Sequence, residues 1–178
     1  VAVTATIKTV PTITSTTPAS RCDAGSVTLM ATASAGTLSW YNVATGGTAL
    51  GTGENFTTPV ITTTTTYYVE ADNNGCISSR EAIIATVNTS PTITNTTSAE
   101  RCGSGSVTLT ATASAGTINW FANATGGTSL FTGSSFTTPN LSETTTYYVS
   151  SKAGSCTSDR VAVTATIKTV PTITSTTP

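Results

Sequence analysis

The 178 residues carry seven Lys and Arg against eight Asp and Glu, no His, and a charged fraction of 8%, roughly a third of the average soluble protein. A net charge of −1 leaves no basic stripe for phosphate contacts, which speaks against nucleic acid and anionic membrane as partners. No apolar run approaches the ~20 residues that a membrane-spanning helix needs, and Val1 stands mid-pattern rather than at the head of a secretion signal.

Thr, Ser, Gly and Ala fill the chain in a repeating order. Residues 19–98 and 99–178 align without a gap at 47 of 80 positions. Cys22 recurs as Cys102, Trp40 as Trp120, Pro59 as Pro139, Tyr67 and Tyr68 as Tyr147 and Tyr148, and Cys76 as Cys156. Residues 1–18 are identical to 161–178, an offset of two periods. The expected organisation is residues 1–8 as the last strand of a preceding repeat, whole repeats at 9–88 and 89–168, and 169–178 as the first strand of a following one.

Along one repeat, the alternation of period two, the Thr and Val enrichment and the Gly-marked turns predict strands, and no stretch shows a helical period. A first strand begins at Pro11–Thr14 with Ile13 inward. The second, SVTLMATAS, sets Val27, Leu29, Ala31 and Ala33 on one face and Thr28, Met30 and Thr32 on the other. The third holds Leu38 and Trp40, and the turn Ala44–Gly47 folds the chain back into a short strand around Leu50. Phe56 anchors the fifth. The sixth, TYYVEA, points Tyr67, Val69 and Ala71 inward, and the seventh carries Ile83, Ala85 and Val87. The expected core is Leu29, Trp40, Phe56, Tyr67 and Val69, with Leu109, Trp120, Phe136, Tyr147 and Val149 in the second repeat.

Seven short strands in 80 residues imply two packed sheets. GSVTLMA, then SWYN, then YYV resemble an immunoglobulin domain, with Ala31 and Val69 where the inter-sheet cysteines would stand and Tyr67 at the tyrosine-corner position. The expected fold class is all-β: tandem immunoglobulin-like antiparallel β-sandwich domains of about seven strands each. Trp40 on Ala31 and Val69 then has to hold the centre.

Four cysteines without His, at spacings of 54, 26 and 54, read as disulfides rather than as a metal site, since no C-x-x-C pair exists. One arrangement bonds Cys22 to Cys76 and Cys102 to Cys156. The strand order argues against it, because Cys22 falls in the turn after the first strand and Cys76 just after the turn between the last two. In an immunoglobulin sandwich those turns lie at opposite ends, roughly 25–30 Å apart. A bond from Cys22 to Cys156, between successive repeats, is slightly favoured; the pairing within repeats and free thiols stay open.

The repeats also test for chemistry, because a site built into the unit should recur. None of the eight acidic residues has an acidic counterpart: Asp23, Glu54, Glu70, Asp72 and Glu81 meet Gly103, Ser134, Ser150, Lys152 and Val161, while Glu100, Glu143 and Asp159 meet Ser20, Thr63 and Ser79. No catalytic residue, metal site or cofactor is expected, and Ser and Thr have no evident base to activate them. Two basic positions do match, Arg21 with Arg101 and Arg80 with Arg160, and their reading is structural: covering apolar surface or binding loop carbonyls. The Thr-rich strands serve β-propensity and wetting.

At RC-x-x-GSVTLTATASAGT, then WY or WF, ATGGT, FTTP, TTTYYV and the late Cys-x-S, nearly the whole chain resembles the immunoglobulin-like repeats of Bacteroidetes cell-surface proteins secreted by the type IX system, closest to gliding-motility adhesin repeats. That resemblance implies an extracellular, surface-exposed, many-domain filament. The function expected is a structural stalk that projects adhesive activity from the cell. Its partners would be neighbouring repeats of the same polypeptide and surface polysaccharide or an abiotic surface. A carbohydrate-binding module and a laterally packed sheath subunit are the alternatives.

Overall fold

The computed structural model describes Val3 and residues 7–174. The strands expected at 1–8 and 169–178 therefore lie partly outside the described residues, and 7–12 and 169–174 form no strand. The chain divides into two compact units, Val1–Thr89 and Ser90–Pro178.

In the first unit, β1 (Ile13–Thr17), β3 (Thr28–Ala33) and β6 (Asn55–Thr57) form a three-stranded antiparallel sheet in the order β1-β3-β6. The facing sheet runs β2 (Ala19–Cys22), β9 (Glu81–Asn88), β7 (Thr65–Asn73), β4 (Thr37–Tyr41) and β5 (Gly51–Thr52), with β8 (Cys76–Ile77) paired to β7. The second unit repeats this with β10 (Ile93–Thr97), β12 (Thr108–Ala113) and β15 (Ser135–Thr137) facing β11 (Ala99–Cys102), β18 (Val161–Lys168), β16 (Thr145–Ala153), β13 (Thr117–Phe121) and β14 (Phe131–Thr132). There β17 (Cys156–Thr157) pairs with β16.

Among the described residues each unit has nine strands where seven were expected, and the extra ones have a physical origin. After β1 pairs antiparallel with β3, the chain crosses to the other sheet, where β2 runs parallel to β9. The sandwich is thus not wholly antiparallel. Cys22, expected in a turn, is the last residue of β2 and stands opposite Asn88. Its four-residue strand, ASRC, is too short to show a period. Pro18 lies at the crossing, yet Ser98 holds the same place in the second unit. The crossing therefore depends on the two sheets offering partners rather than on proline. The return after the 44–47 turn also begins one residue later than expected, at Gly51, and Leu50 is exposed.

The alternation of β3 appears directly in its burial: Leu29 and Ala31 are buried while Thr28, Met30 and Thr32 face outward. On that outer face hydroxyls satisfy one another, with Thr32 Oγ1 2.8 Å from Thr14 Oγ1 and 2.7 Å from Ser15 Oγ, and Thr28 3.1 Å from Thr57. At the centre, Trp40 is fully buried and stacked on Phe56 at 5.3 Å, and Phe56 meets Tyr67 edge-on at 5.3 Å. Trp120, Phe136 and Tyr147 repeat the triplet at 5.5 and 5.1 Å. Each indole N–H donates to a backbone carbonyl, Gly53 at 2.8 Å and Gly133 at 2.9 Å. Burying each Trp removes enough apolar area to contribute about 4–6 kcal/mol. Val69 and Val149, also fully buried, pair directly with the two tryptophans across β4–β7 and β13–β16.

One glycine per unit fixes which turns meet. Gly36, at φ +86°, sits so close to the β7–β8 hairpin that a Cβ there would come within 2.2 Å of the Asp72 carbonyl oxygen. Gly116 makes the same approach to Lys152. The turn after β3 and the hairpin that precedes Cys76 therefore share one end of the sandwich.

Candidate functional site

The matched arginines resolve into two different devices. Arg21 folds back over Gly25, so near that a Cβ at Gly25 would fall inside the guanidinium, and donates to the carbonyls of Asp23 (3.0 Å) and Ser26 (3.1 Å). Arg101 does the same over Gly105, with Ser106 O at 3.2 Å. This accounts for the R-C-x-x-G pattern: glycine is required because arginine occupies the side-chain space, and the arginine in return ties down the carbonyls of the turn that leads into β3 or β12.

The second device clamps the loop after β4. Arg80 places its guanidinium 3.4 Å from the Tyr41 ring centre, and its Nη1 donates to Val43 O (2.7 Å) and Gly46 O (2.8 Å). Its Nε donates to Glu70 Oε2 at 2.8 Å, while the Tyr41 hydroxyl donates to Glu70 Oε1 at 2.7 Å. Burial pushes the Glu70 carboxyl up, but the hydrogen bonds from Arg80 and Tyr41 outweigh it and hold the carboxyl below its ordinary value. The Tyr41 hydroxyl is raised, first by its bond to Glu70 and then by burial. In the second unit Arg160 lies 3.5 Å over Phe121 and donates to Asn123 O (2.6 Å) and Gly126 O (2.8 Å). Ser150, buried, replaces Glu70. Sequence comparison found the arginines because they match and missed Glu70 because it does not.

Phe121, Asn123, Gly126 and Leu130 line a recess beside this clamp, and Phe131, further along the chain, lies tilted against Phe136 with ring centres 5.9 Å apart. In the first unit Gly51 takes the place of Phe131. An aromatic pair on which a sugar could stack therefore does not recur in the two units.

Among the described residues no three His, Cys, Asp or Glu side chains gather where they could hold a metal, and no helix is long and apolar enough to cross a membrane. Cys76 and Cys102 carry free thiols, Cys76 half-buried and Cys102 exposed. Within each unit the two cysteines stand far apart. Cys22 is level with Asn88 and Cys76 with Asn73, and the β7–β9 register puts eleven residue steps between those levels, about 36 Å. A disulfide needs Cα atoms within about 7 Å. Bonds from Cys22 to Cys76 and from Cys102 to Cys156 are therefore excluded.

Two facing sheets, a central Trp between them and a first strand that changes sheets define an immunoglobulin-like sandwich, present twice in tandem. Both copies match the family described as Ig-like domain CHU_C associated, over residues 9–88 and 89–168, and the chain belongs to that family. No curated protein matches it. Among solved structures it is similar to immunoglobulin domains 1–4 of Sidekick-1, at 16% identity and a TM-score of 0.52 over 89% of this chain and 48% of that one. It is likewise similar to a chain of the mouse coronavirus receptor-binding domain complexed with its murine receptor, at 16% identity and a TM-score of 0.50 over 89% of this chain and all of that one. The chain spans about half the length of the Sidekick-1 structure. At such identities the likeness concerns the fold.

Proposed function

We propose that the chain is a length of stalk from an exported, cell-surface, multidomain protein, a non-catalytic spacer that carries adhesive activity away from the cell. One observation carries this reading: the parts that recur in both repeats, namely the Trp–Phe–Tyr core, the Arg21 and Arg101 staples and the Arg80 and Arg160 clamps, all hold the sandwich together, while every exposed carboxylate differs. A unit selected for a ligand would keep its chemistry and vary its scaffold. Length then scales with repeat number, each sandwich adding roughly 35–40 Å by strand length and turns. The family is described as CHU_C associated, and CHU_C is a C-terminal domain family of Bacteroidetes type IX secretion, which supports type IX export; an adhesin that serves gliding motility belongs to the same proposal.

Replacing both repeats in the parent protein by unrelated sandwich domains of equal length tests this. Unchanged surface attachment and unchanged motility are expected. Loss of attachment, together with selective binding of the two-repeat chain on a polysaccharide array, would establish the binding-module alternative instead.

A further inference from the structure

The β7–β8 hairpin of the first repeat turns through two residues, Asn74 and Gly75, between the paired Asn73 and Cys76. Asn74 takes a left-handed conformation at φ +53° and Gly75 follows at +84°, the Asn-Gly arrangement that a tight hairpin favours. Both residues are exposed. No other Asn in the chain is followed by Gly.

The peptide unit that joins them lies between opposite charges. Its N–H, on Gly75, donates to Asp72 Oδ1 at 2.7 Å. Its carbonyl oxygen, on Asn74, accepts from the Lys8 ammonium at 2.7 Å. Removing the amide proton spreads negative charge over that nitrogen and oxygen. Lys8 stabilises the charge on oxygen, and Asp72 is at hydrogen-bond distance to take the proton. The nitrogen so activated closes on the Asn74 side-chain carbon Cγ in a five-membered ring, so no second molecule has to arrive. Gly75 puts no side chain in the way, and even a Cβ built there would meet nothing within 4 Å. The nitrogen that must leave, Asn74 Nδ2, donates to Asn73 Oδ1 at 3.2 Å.

We infer that Asn74 is a site of spontaneous covalent modification, an amide that the charges of its own hairpin convert to a carboxylate. Gly75 N bonds to Asn74 Cγ and passes its proton to Asp72. The Cγ–Nδ2 bond then breaks, the proton moves on to Nδ2, and ammonia departs, leaving a cyclic imide. Water opens the ring at one of its two carbonyls and gives aspartate or isoaspartate. The sum is amide plus water to acid plus ammonia, with no change of oxidation state. Aspartate keeps the turn, because Asp shares the tolerance of Asn for the left-handed region, and it sets a second negative charge two residues from Asp72. Isoaspartate adds a methylene to the main chain of a two-residue turn and so disturbs the Asn73–Cys76 pair. The first repeat thereby gains a mark that accumulates with age. In the second repeat Lys152, Gly154 and Ser155 stand where Asp72, Asn74 and Gly75 do, so base, amide and glycine are replaced together. This chemistry is independent of the stalk role.

The 178-residue chain, held folded at neutral pH for weeks and then digested, tests the site by mass spectrometry of the peptide that contains Asn74. Conversion of Asn74 to aspartate and isoaspartate is expected, preceded by a species lighter by one ammonia, while Asn73, Asn119 and Asn123 keep their amides. Asp72→Asn removes the base and keeps an acceptor oxygen, and it should slow the conversion at least about tenfold. Lys8→Gln should slow it severalfold. Both side chains are exposed, and amide spectra of the variants check that the hairpin is intact. An Asn74 that keeps its amide as long as the other asparagines would overturn the proposal. So would an Asp72→Asn chain with an intact hairpin that converts as fast as the parent.

Discussion

The two loop clamps differ in a way that separates what the unit requires from what it tolerates. In both repeats an arginine lies flat on an aromatic ring and binds two carbonyls of the loop after the Trp strand. Only the first adds a carboxylate, Glu70, which takes one hydrogen bond from Arg80 and one from Tyr41. In the second, Phe121 has no hydroxyl to offer and Ser150 no charge. The ring and the loop carbonyls are thus the common design, and the ion pair is added to one copy. The arginine is kept because a planar fork can stack and donate at once, which a lysine cannot do.

The largest test of the comparison asks whether the cores are as alike as they look. Trp40→Ala and Trp120→Ala each empty the centre of one sandwich, and each should cost about 3–5 kcal/mol, enough to unfold a domain of this size on its own. Amide spectra should lose the resonances of the mutated repeat and retain those of the other. If one repeat survives its substitution, the equivalence of the aromatic triplets is wrong. A smaller effect is expected at the clamps. Arg80→Ala strands a mostly buried carboxylate, so it should lower the melting temperature of the first repeat by roughly 5–10 °C, against about half that for Arg160→Ala in the second. Equal losses would show that the ion pair adds nothing to the ring and carbonyl contacts.

The sequence made the sheets legible wherever one face meets the core. The alternation of Val27, Leu29 and Ala31 and of Tyr67, Val69 and Ala71 is forced by burial, so it is written in residue type. What stayed hidden depends on partners. Identical peptides demonstrate this: Val163 is buried within β18, where β16 lies beside it, while Val3 in the same sequence is 91% exposed. Ile13 belongs to β1 opposite Ala33, whereas Ile173 forms no strand and is 88% exposed. A Thr- and Val-rich segment becomes a strand when a sheet edge accepts it, and propensity alone does not supply that edge. The strand β2 escaped for the same reason, since ASRC is held by its parallel partner β9. The matched arginines were visible as repeated letters and their role at loop carbonyls was foreseen as one option. Glu70 was invisible because comparing repeats rewards only what recurs.

The smallest expected effect follows from the sign of the Glu70 shift. Its carboxyl ionises more readily in the folded repeat than at its ordinary value of 4.5. A lowered folded value means the unfolded chain binds the proton more tightly, so the ionised form stabilises the fold. That contribution is complete above about pH 4.5 and disappears as the pH falls through the lower, folded value. Ser150 gives the second repeat no counterpart. Melting followed by repeat-specific amide signals should therefore show the first repeat losing ground to the second below about pH 4.5, by a few degrees. Glu70→Gln should keep the hydrogen-bond acceptor and remove this pH dependence. If the two repeats fall together on acidification, or if the Gln variant keeps the difference, the ion pair is not what distinguishes the two clamps.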